Sequence, residues 1–404
     1  MHIHFIAIGG SAMHNLAIAL KGKGYSITGS DDEIFDPSRG RLKAHGLLPE
    51  AIGWYPELIT PQLDAVVLGM HARADNPELI RAKELGLRIY SYPEYLYEQA
   101  KDKTRVVIGG SHGKTTITSM IMHVLRSCGM EFDYMVGAQL EGFDTMVSLT
   151  KTAPIAVFEG DEYLTSPIDP RPKFLLYKPN IALISGIAWD HINAFPTFDI
   201  YREQFKLLVE SIEPNGYLIY YDNDHEVQAV SRNTKESVHA TPYSTHPYQI
   251  EDGQASLCSG SQKIPVQVIG DHNMQNIAGA KTVCNLLGVN DTDFYCSIGS
   301  FAGAARRLQV LAGSDSTTVF NDFAHSPSKV AATVSALREA YPNSRLVACL
   351  ELHTFSSLNP EFITQYNGTL RQAHQGLVFF NTKTLEHKGL PPLSTCSVAE
   401  AFGN

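Results

Sequence analysis

An apolar, β-branched run at 104–108 empties into Gly109-Gly110-Ser111-His112-Gly113-Lys114-Thr115-Thr116, and a helical pattern takes over directly after it. A strand that stops in a glycine loop and restarts as a helix aims backbone N–H groups and the positive end of a helix dipole at one spot. That spot is a seat for phosphate oxygens. Lys114 can then reach the terminal phosphates of a nucleotide, and the Thr115 hydroxyl can ligate Mg²⁺. The strict form of this loop has a glycine at position 108, where this chain has Ile108, so the loop is a shorter variant. A glycine-rich turn would explain the glycines alone, but not Gly-Lys-Thr-Thr between a strand and a helix.

The same alternation begins at the N-terminus. A strand is expected at 3–8, a small-residue turn at Gly9-Gly10-Ser11-Ala12, a helix at about 13–21 closed by Gly22 and Gly24, and strands at 25–29 and 65–68. This βαβ series predicts a parallel sheet with helices on its faces, hence an α/β fold. Asp31 lies 21 residues after Gly10, where a Rossmann-like unit places an acid against a ribose. The glycines do not spell G-x-G-x-x-G, so for this segment alone a nicotinamide oxidoreductase and a purely structural turn both stay open. The pattern restarts after Lys101-Asp102-Lys103 and again near Leu308, with a strand at 317–320, a helix at 328–341 and a strand at 345–350. Three domains are expected, at 1–100, 101–307 and 308–404. After the apolar run at 377–380 there is room for little more than one helix, so the last domain is expected to be incomplete.

Charge narrows the partners. The 32 Lys and Arg are outnumbered by 42 Asp and Glu, a net charge of -10, which disfavours nucleic-acid coating. There is no apolar run of membrane-spanning length and no signal peptide pattern. The six cysteines (128, 258, 284, 296, 349 and 396) form no C-x-x-C pair and are expected to be reduced, mostly buried thiols. A cytoplasmic protein with small-molecule substrates is expected, its oligomeric state left open.

A nucleotide triphosphate needs carboxylate help with its metal. Glu159-Gly160-Asp161-Glu162 supplies it at the end of the next strong apolar run, where α/β proteins bind ligands. Asp190-His191 ends a strand expected at 181–187 and could bind metal or cap a helix. Gly270-Asp271-His272-Asn273-Met274-Gln275-Asn276 opens a helix, with Asn273 a candidate N-cap. Arg306-Arg307 ends the middle block, and Asp322-Phe323-Ala324-His325-Ser326-Pro327 follows a strand in the last.

Taken in order, Gly-Gly-Ser-Ala-Met (9–13), Asp-Asn-Pro-Glu (75–78), Gly-Ser-His-Gly-Lys-Thr-Thr (110–116), Glu-Gly-Asp-Glu (159–162), Asp-His (190–191), Gly-Asp-His-Asn-x-x-Asn (270–276), Arg-Arg (306–307) and Asp-Phe-Ala-His (322–325) resemble the Mur ligase family. The resemblance runs to about residue 360. It implies an N-terminal UDP-binding domain, a central ATPase domain and a C-terminal Rossmann-like domain. It also implies an ATP- and Mg²⁺-dependent ligase that couples the carboxylate of UDP-N-acetylmuramate to an amine through an acyl phosphate. Within the family, the segment 159–179 resembles the branch whose amine is the tripeptide L-Ala-γ-D-Glu-meso-diaminopimelate rather than L-alanine. A third reading, kept beside these, is a UDP-sugar-binding module without turnover.

By that resemblance Lys114 neutralises phosphate, and Thr115, Glu159 and His191 hold Mg²⁺ directly or through water. The loop Gly110, Ser111, His112, Gly113, Lys114, Thr115 and Thr116 cradles ATP. His272, Asn273 and Asn276 flank its adenine or ribose, and Arg307, Asp322 and His325 close the site. Gly10, Ser11, Ala12, Met13, Asp31, Asp32 and His71 meet the UDP moiety. Lys206 lies fifteen residues after His191, the position of a carbamylated lysine in several relatives. The chain departs from the family at Gly186, Ala188 and Ser326. It also lacks, in Leu350-Glu351-Leu352-His353-Thr354-Phe355-Ser356-Ser357, an arginine that relatives direct at the incoming amine. Either His353 and Ser356 do that work, or the amine substrate differs.

Overall fold

The computed structural model describes all 404 residues except His71, Pro167, Asp252, Ala305, Arg306 and Asn404. The chain opens with β1 (His2–Ile6), α1 (Ser11–Gly22), β2 (Ser26–Ser30), α2 (Ser38–Ala44), β3 (Ala65–Leu68), α3 (Pro77–Glu84), β4 (Ile89–Ser91) and α4 (Tyr92–Ala100). Its four strands pair in parallel in the order β2-β1-β3-β4. The β3 residues are all buried, as expected for a strand covered on both faces. β1 stops two residues short of the predicted end because Ala7 takes φ 66 and turns the chain. Asn76 caps α3 ahead of Pro77, and Ser91 and Glu94 form a reciprocal capping box on α4.

The second sheet uses β5 (Thr104–Gly109), α5 (Lys114–Ser127), β6 (Phe132–Met135), β7 (Val147–Ser148) and β8 (Ile155–Glu159). A hairpin of β9 (Leu164–Ser166) and β10 (Asp169–Pro172) follows, then β11 (Ile181–Ile184), α6 (Phe198–Glu210), β12 (Tyr217–Tyr221), α7 (His225–Ser231) and β13 (His239–Tyr243). The order is β13-β12-β11-β5-β8-β6-β7, parallel except at β6–β7. β5 therefore stands between β8 on one side and β11 on the other. The connection from β5 runs to β6 on the β8 side and that from β11 runs to β12 on the other, so a crevice opens at their C-terminal ends.

The polar stretch at 222–263, whose pattern is mixed in the sequence, holds α7, β13 and an antiparallel sheet of β14 (Tyr248–Glu251), β15 (Gln254–Ser259) and β16 (Gln262–Val266). α8 (Asp271–Leu286) and α9 (Asp291–Ile298) then share a core with α5, in which Ile117, Met120, Val124, Met274, Ile277 and Phe294 are buried together.

The remainder comprises a hairpin, β17 (Gln309–Gly313) and β18 (Thr318–Asn321), then α10 (Pro327–Ala340), a parallel pair of β19 (Val347–Leu352) and β20 (Gln375–Phe380), α11 (Thr382–His387) and α12 (Thr395–Ala401). It has its own core around Val334, Leu352, Phe362, Tyr366 and Val398. Its strands begin one or two residues later than the sequence pattern indicates. Among the described residues no helix is long and apolar enough to cross a membrane.

Candidate active site

The crevice at the end of β5 is filled by the loop 110–113, and its glycines are there for space. Gly110 has φ 131, and a Cβ on it would lie 2.2 Å from Ser185 Oγ. Gly113 has φ 78, and a Cβ would lie 2.4 Å from Asn276 Oδ1. The loop is pinned from several sides. Ser111 N–H donates to Gly186 O at 2.9 Å, and Ser185 Oγ donates to His112 O. The Lys114 ammonium donates to Gly110 O at 2.7 Å and to Glu162 at 2.6 Å. Glu162 also accepts from the buried Tyr201 hydroxyl at 2.9 Å. That hydroxyl sits 2.8 Å from Ser111 Oγ, which accepts Ala188 N–H at 2.8 Å.

These partners set the charges. Burial works against the Lys114 ammonium, but Glu162 and Asp161 hold its pKa above the ordinary lysine value. Burial pushes Glu159 up, only partly offset by Gly137 N–H at 2.7 Å, by Lys114 and by the Thr115 hydroxyl at 2.9 Å. Burial would also raise Asp161, but Lys173, with its ammonium 2.7 Å away, and Lys114 bring it down to about 2. Burial, Lys329 and Lys114 lower His112 to about 3, so its ring is neutral, and its Nδ1 is buried without a hydrogen-bond partner.

A desolvated carboxylate touching a threonine hydroxyl at the base of a phosphate loop fits a hard divalent cation. Among the described residues no three His, Cys, Asp or Glu gather around one point. One carboxylate beside one hydroxyl suits Mg²⁺, which takes few protein ligands and completes its shell with water and phosphate. His191 is held by other contacts. Its Nε2 lies 3.6 Å from Glu162, its ring packs edge-on to Tyr163 at 5.4 Å, and its own N–H is taken by Asp190 at 2.8 Å.

The far wall of the crevice comes from α8 and from the last unit. His272, Asn273, Gln275 and Asn276 line it beside the loop, and Arg307, Asp322, Ser328 and Lys329 face them. Asn273 is not the helix N-cap, a position occupied by Gly270; its side-chain amide donates to Ile269 O at 2.8 Å. Asp322 is consumed locally, accepting Leu308 N–H at 2.8 Å and Ala324 N–H at 2.7 Å, while the Arg307 guanidinium lies 5.3 Å from the Phe323 ring. His325 does not line the crevice. Its Nδ1 lies 2.9 Å from Phe323 O, its ring is 6.1 Å from that of His353, and burial with Lys329 lowers it to about 4.

Two expectations change. Lys206 is not brought to the crevice: it lies on the outer side of α6, paired at 3.2 Å with Glu203 and 37% exposed. Helical phase explains this, since Tyr201, Phe205 and Leu208 take the inner face and the residue after Phe205 is rotated away. Asp31 is buried, and one of its oxygens accepts Gly9 N–H at 2.7 Å, so it braces the first glycine turn from within. Around that turn Ser11, Ala12 and Asp32 are exposed, Gly10 is half-buried and Met13 packs into the core. His71 lies outside the described residues, as does Arg306 of the Arg306-Arg307 pair.

Several residues that line the crevice or brace its loop from behind carry no local sequence signal. Tyr201, Ser185 and Gln275, whose side chain donates to Ser185 O, are ordinary residues of helices and strand ends. Glu162 is visible only as one of three acids, and Lys329 only as a helix lysine.

Comparison with known proteins agrees with this geometry. Residues 108–284 match the Mur ligase middle domain, and residues 2–104 match the Mur ligase family, catalytic domain. The chain is 30% identical over 368 residues to the UDP-N-acetylmuramate–L-alanyl-gamma-D-glutamyl-meso-2,6-diaminoheptandioate ligase of Haemophilus influenzae, covering 87% of this chain and 79% of that one. It is 29% identical over 367 residues to the UDP-N-acetylmuramate–L-alanine ligase of Clostridium botulinum, covering 88% of this chain and 78% of the relative. The crystal structure of UDP-N-acetylmuramate:L-alanyl-gamma-D-glutamyl-meso-diaminopimelate ligase from Neisseria meningitides superposes with a TM-score of 0.66 at 25% identity, covering 74% of this chain and 98% of that one. The chain belongs to the Mur ligase family, ATP-dependent ligases that form amide bonds.

Proposed function

We propose that the chain joins the carboxylate of UDP-N-acetylmuramate to the amine of L-alanyl-γ-D-glutamyl-meso-diaminopimelate, using ATP with Mg²⁺. One observation carries the reading: a phosphate loop, a desolvated Glu159–Thr115 pair and cations from two units converge on one crevice. A carboxylate oxygen is too poor a leaving group for an amine to displace. Phosphorylation makes it an acyl phosphate, the amine attacks the carbonyl carbon, and the tetrahedral intermediate collapses to amide and phosphate. Such transfer needs positioning and charge neutralisation rather than covalent help from the protein.

In this reading the loop 110–116 wraps the phosphates, and Lys114 exchanges Glu162 for their oxygens. Thr115 and Glu159 would hold Mg²⁺, with His191 behind them through water; the ion's charge offsets that of the phosphates. His272, Asn273 and Asn276 flank the nucleoside, and Arg307 and Asp322 close the junction, with His325 behind them. The backbone of 10–13, with Asp32 and His71, meets the UDP moiety, and Asp31 acts through Gly9. The three units then divide the work at about 1–100, 101–307 and 308–404, in the cytoplasm where ATP and the sugar nucleotide meet.

L-Alanine as the amine is the second reading, favoured by the similar match to the Clostridium ligase. The segment 159–179 supports the tripeptide. Of this segment Glu159 lines the crevice, and beyond it Arg171 is bound to Asp169 at 2.7 Å, Lys173 to Asp161 at 2.7 Å, and Tyr163 accepts from Asn193 at 2.8 Å. The test is phosphate release from ATP and Mg²⁺ with UDP-N-acetylmuramate and either amine. Turnover with the tripeptide alone is expected. Turnover with L-alanine alone would move the assignment, and none with either, from a chain that binds ATP, would leave a sugar-nucleotide-binding module.

A further inference from the structure

Lys329 is the third residue of α10, and the reading above gives it no role. Its side chain, 19% exposed, leaves the last unit and enters the crevice shared by His112, Lys114 and Arg307. Its counter-charge is Asp190 of the middle unit, at 3.7 Å. That separation is an ion pair but not a hydrogen bond. Among the described residues the ammonium has no hydrogen-bond acceptor at all. Lys114, in contrast, already donates to Glu162 and Gly110 O. The N–H groups of Lys329 are left to the solvent of the crevice, so a phosphate entering there meets an ammonium that no side chain among the described residues already holds by a hydrogen bond. Nor does the helix gain from it, because a cation in the first turn opposes the helix dipole. The same crevice concentrates a third cation, Arg307, so a multiply charged anion entering it meets three cations at once.

We propose that Lys329 binds the terminal phosphoryl group of the nucleotide from across the junction, exchanging its loose pairing with Asp190 for phosphate oxygens. The triphosphate, rather than the diphosphate, then draws the last unit onto the phosphate loop. A lysine suits this task as a compact charge on a flexible stem. The proposal rests on reading the crevice as the nucleotide site, and its test separates the two.

The experiment titrates the full chain, Lys329→Gln and Lys329→Arg with AMP-PNP and with ADP, each with Mg²⁺, by calorimetry. One charge-assisted contact to phosphate corresponds to about 10- to 100-fold in affinity. Lys329→Gln is expected to weaken AMP-PNP by about that factor while ADP stays within about threefold, and Lys329→Arg to restore most of the loss. Equal weakening of both nucleotides, including loss of all binding through misfolding, would show a structural role and overturn the proposal. Unchanged AMP-PNP affinity in Lys329→Gln would overturn it as well. A parent chain that binds neither nucleotide would remove the nucleotide reading itself.

Discussion

Tyr201→Phe tests the logic of the loop with a single oxygen atom. The phenol is fully buried, and its hydroxyl lies between Glu162 at 2.9 Å and Ser111 Oγ at 2.8 Å. Because a carboxylate only accepts, Tyr201 must donate to Glu162 and Ser111 must donate to Tyr201, while Ala188 N–H donates to Ser111. The chain of donation therefore has one direction. Removing the hydroxyl strips a charge-assisted bond from Glu162 and leaves the buried Ser111 O–H without an acceptor. At about 1.5–3 kcal/mol for the first and about 1–3 kcal/mol for the second, less whatever relaxation recovers, the net cost is about 3 kcal/mol. For a unit of this size that is a fall in Tm of about 6–12 °C. Apparent affinity for ATP falls with it, since Ser111 sits in the phosphate loop.

Tyr177→Phe is the control. Tyr177 is equally buried, but its hydroxyl has no hydrogen-bond partner among the described residues. Its removal abolishes a desolvation cost and nothing else, so Tm is expected to hold or rise by the equivalent of about 1 kcal/mol. Differential scanning calorimetry of both variants decides the matter. Equal destabilisation by the two would mean that ring packing, not the directed hydrogen bonds, sets the cost, and the reasoning would fail.

Glu159→Gln and Glu162→Gln should separate: the first relieves a burial that pushes its carboxyl up, so Tm holds while Mg²⁺-dependent turnover is lost. The second leaves the Lys114 ammonium without its carboxylate and is expected to cost about 3–5 kcal/mol, read as a large fall in Tm. Gly113→Ala, at φ 78 and 2.4 Å from Asn276 Oδ1, should abolish nucleotide binding, whereas Gly129→Ala, at φ 67 with open space around it, should cost only about 1 kcal/mol and leave binding intact in the same titration. Lys206→Ala should change stability by no more than about 0.5 kcal/mol and leave turnover unaffected by bicarbonate, with an intact mass showing plain lysine in the parent chain. His112 and His325, lowered to about 3 and about 4, stay neutral when folded, so the unfolded chain takes up more protons below pH 6.5. Stability is therefore complete above that pH and declines as pH falls towards about 4, by up to about 1.4 kcal/mol per pH unit for each ring. His325→Gln should flatten the dependence of Tm on pH in that window, and an unaltered slope would contradict the assignment.

The parts of the site that could be read from the chain are those whose physics is local. Gly-Lys-Thr-Thr needs only the strand before it and the helix after it, and both are where the pattern places them. The acids at the end of β8 and the polar opening of α8 follow from the same rule, that the C-terminal ends of strands and the starts of helices face ligands. Partners that meet across long sequence separations left no trace. Ser111 and Tyr201 are 90 residues apart, and nothing in a tyrosine on an amphipathic helix says which buried hydroxyl it will find. Lys206 fails for a different reason: a spacing fixes a position on a helix but not its phase, and the apolar positions of α6 turn it outward. Asp31 shows the converse case, an acid at the expected strand end whose use depends on a backbone N–H brought back by the turn at Gly9.

The pairings in the crevice bear on how nucleotide affinity would be set. Lys114 is held by Glu162, Lys329 by Asp190, and Lys173 by Asp161. Without an anion these cations are matched by carboxylates of the chain, which keeps a crowded, part-buried cluster from repelling itself. A phosphate entering the crevice must displace Glu162 from Lys114 and the looser Asp190 from Lys329, so its net affinity is a difference between two sets of contacts and is smaller than the new contacts alone would give. The displaced carboxylates do not leave. Glu162 remains beside Tyr201 and His191, and Asp190 remains beside His191 N–H, so each is left needing positive charge. An ion held by Thr115 and Glu159 would supply it. On this argument metal and triphosphate should bind cooperatively, because each removes the charge imbalance that the other creates.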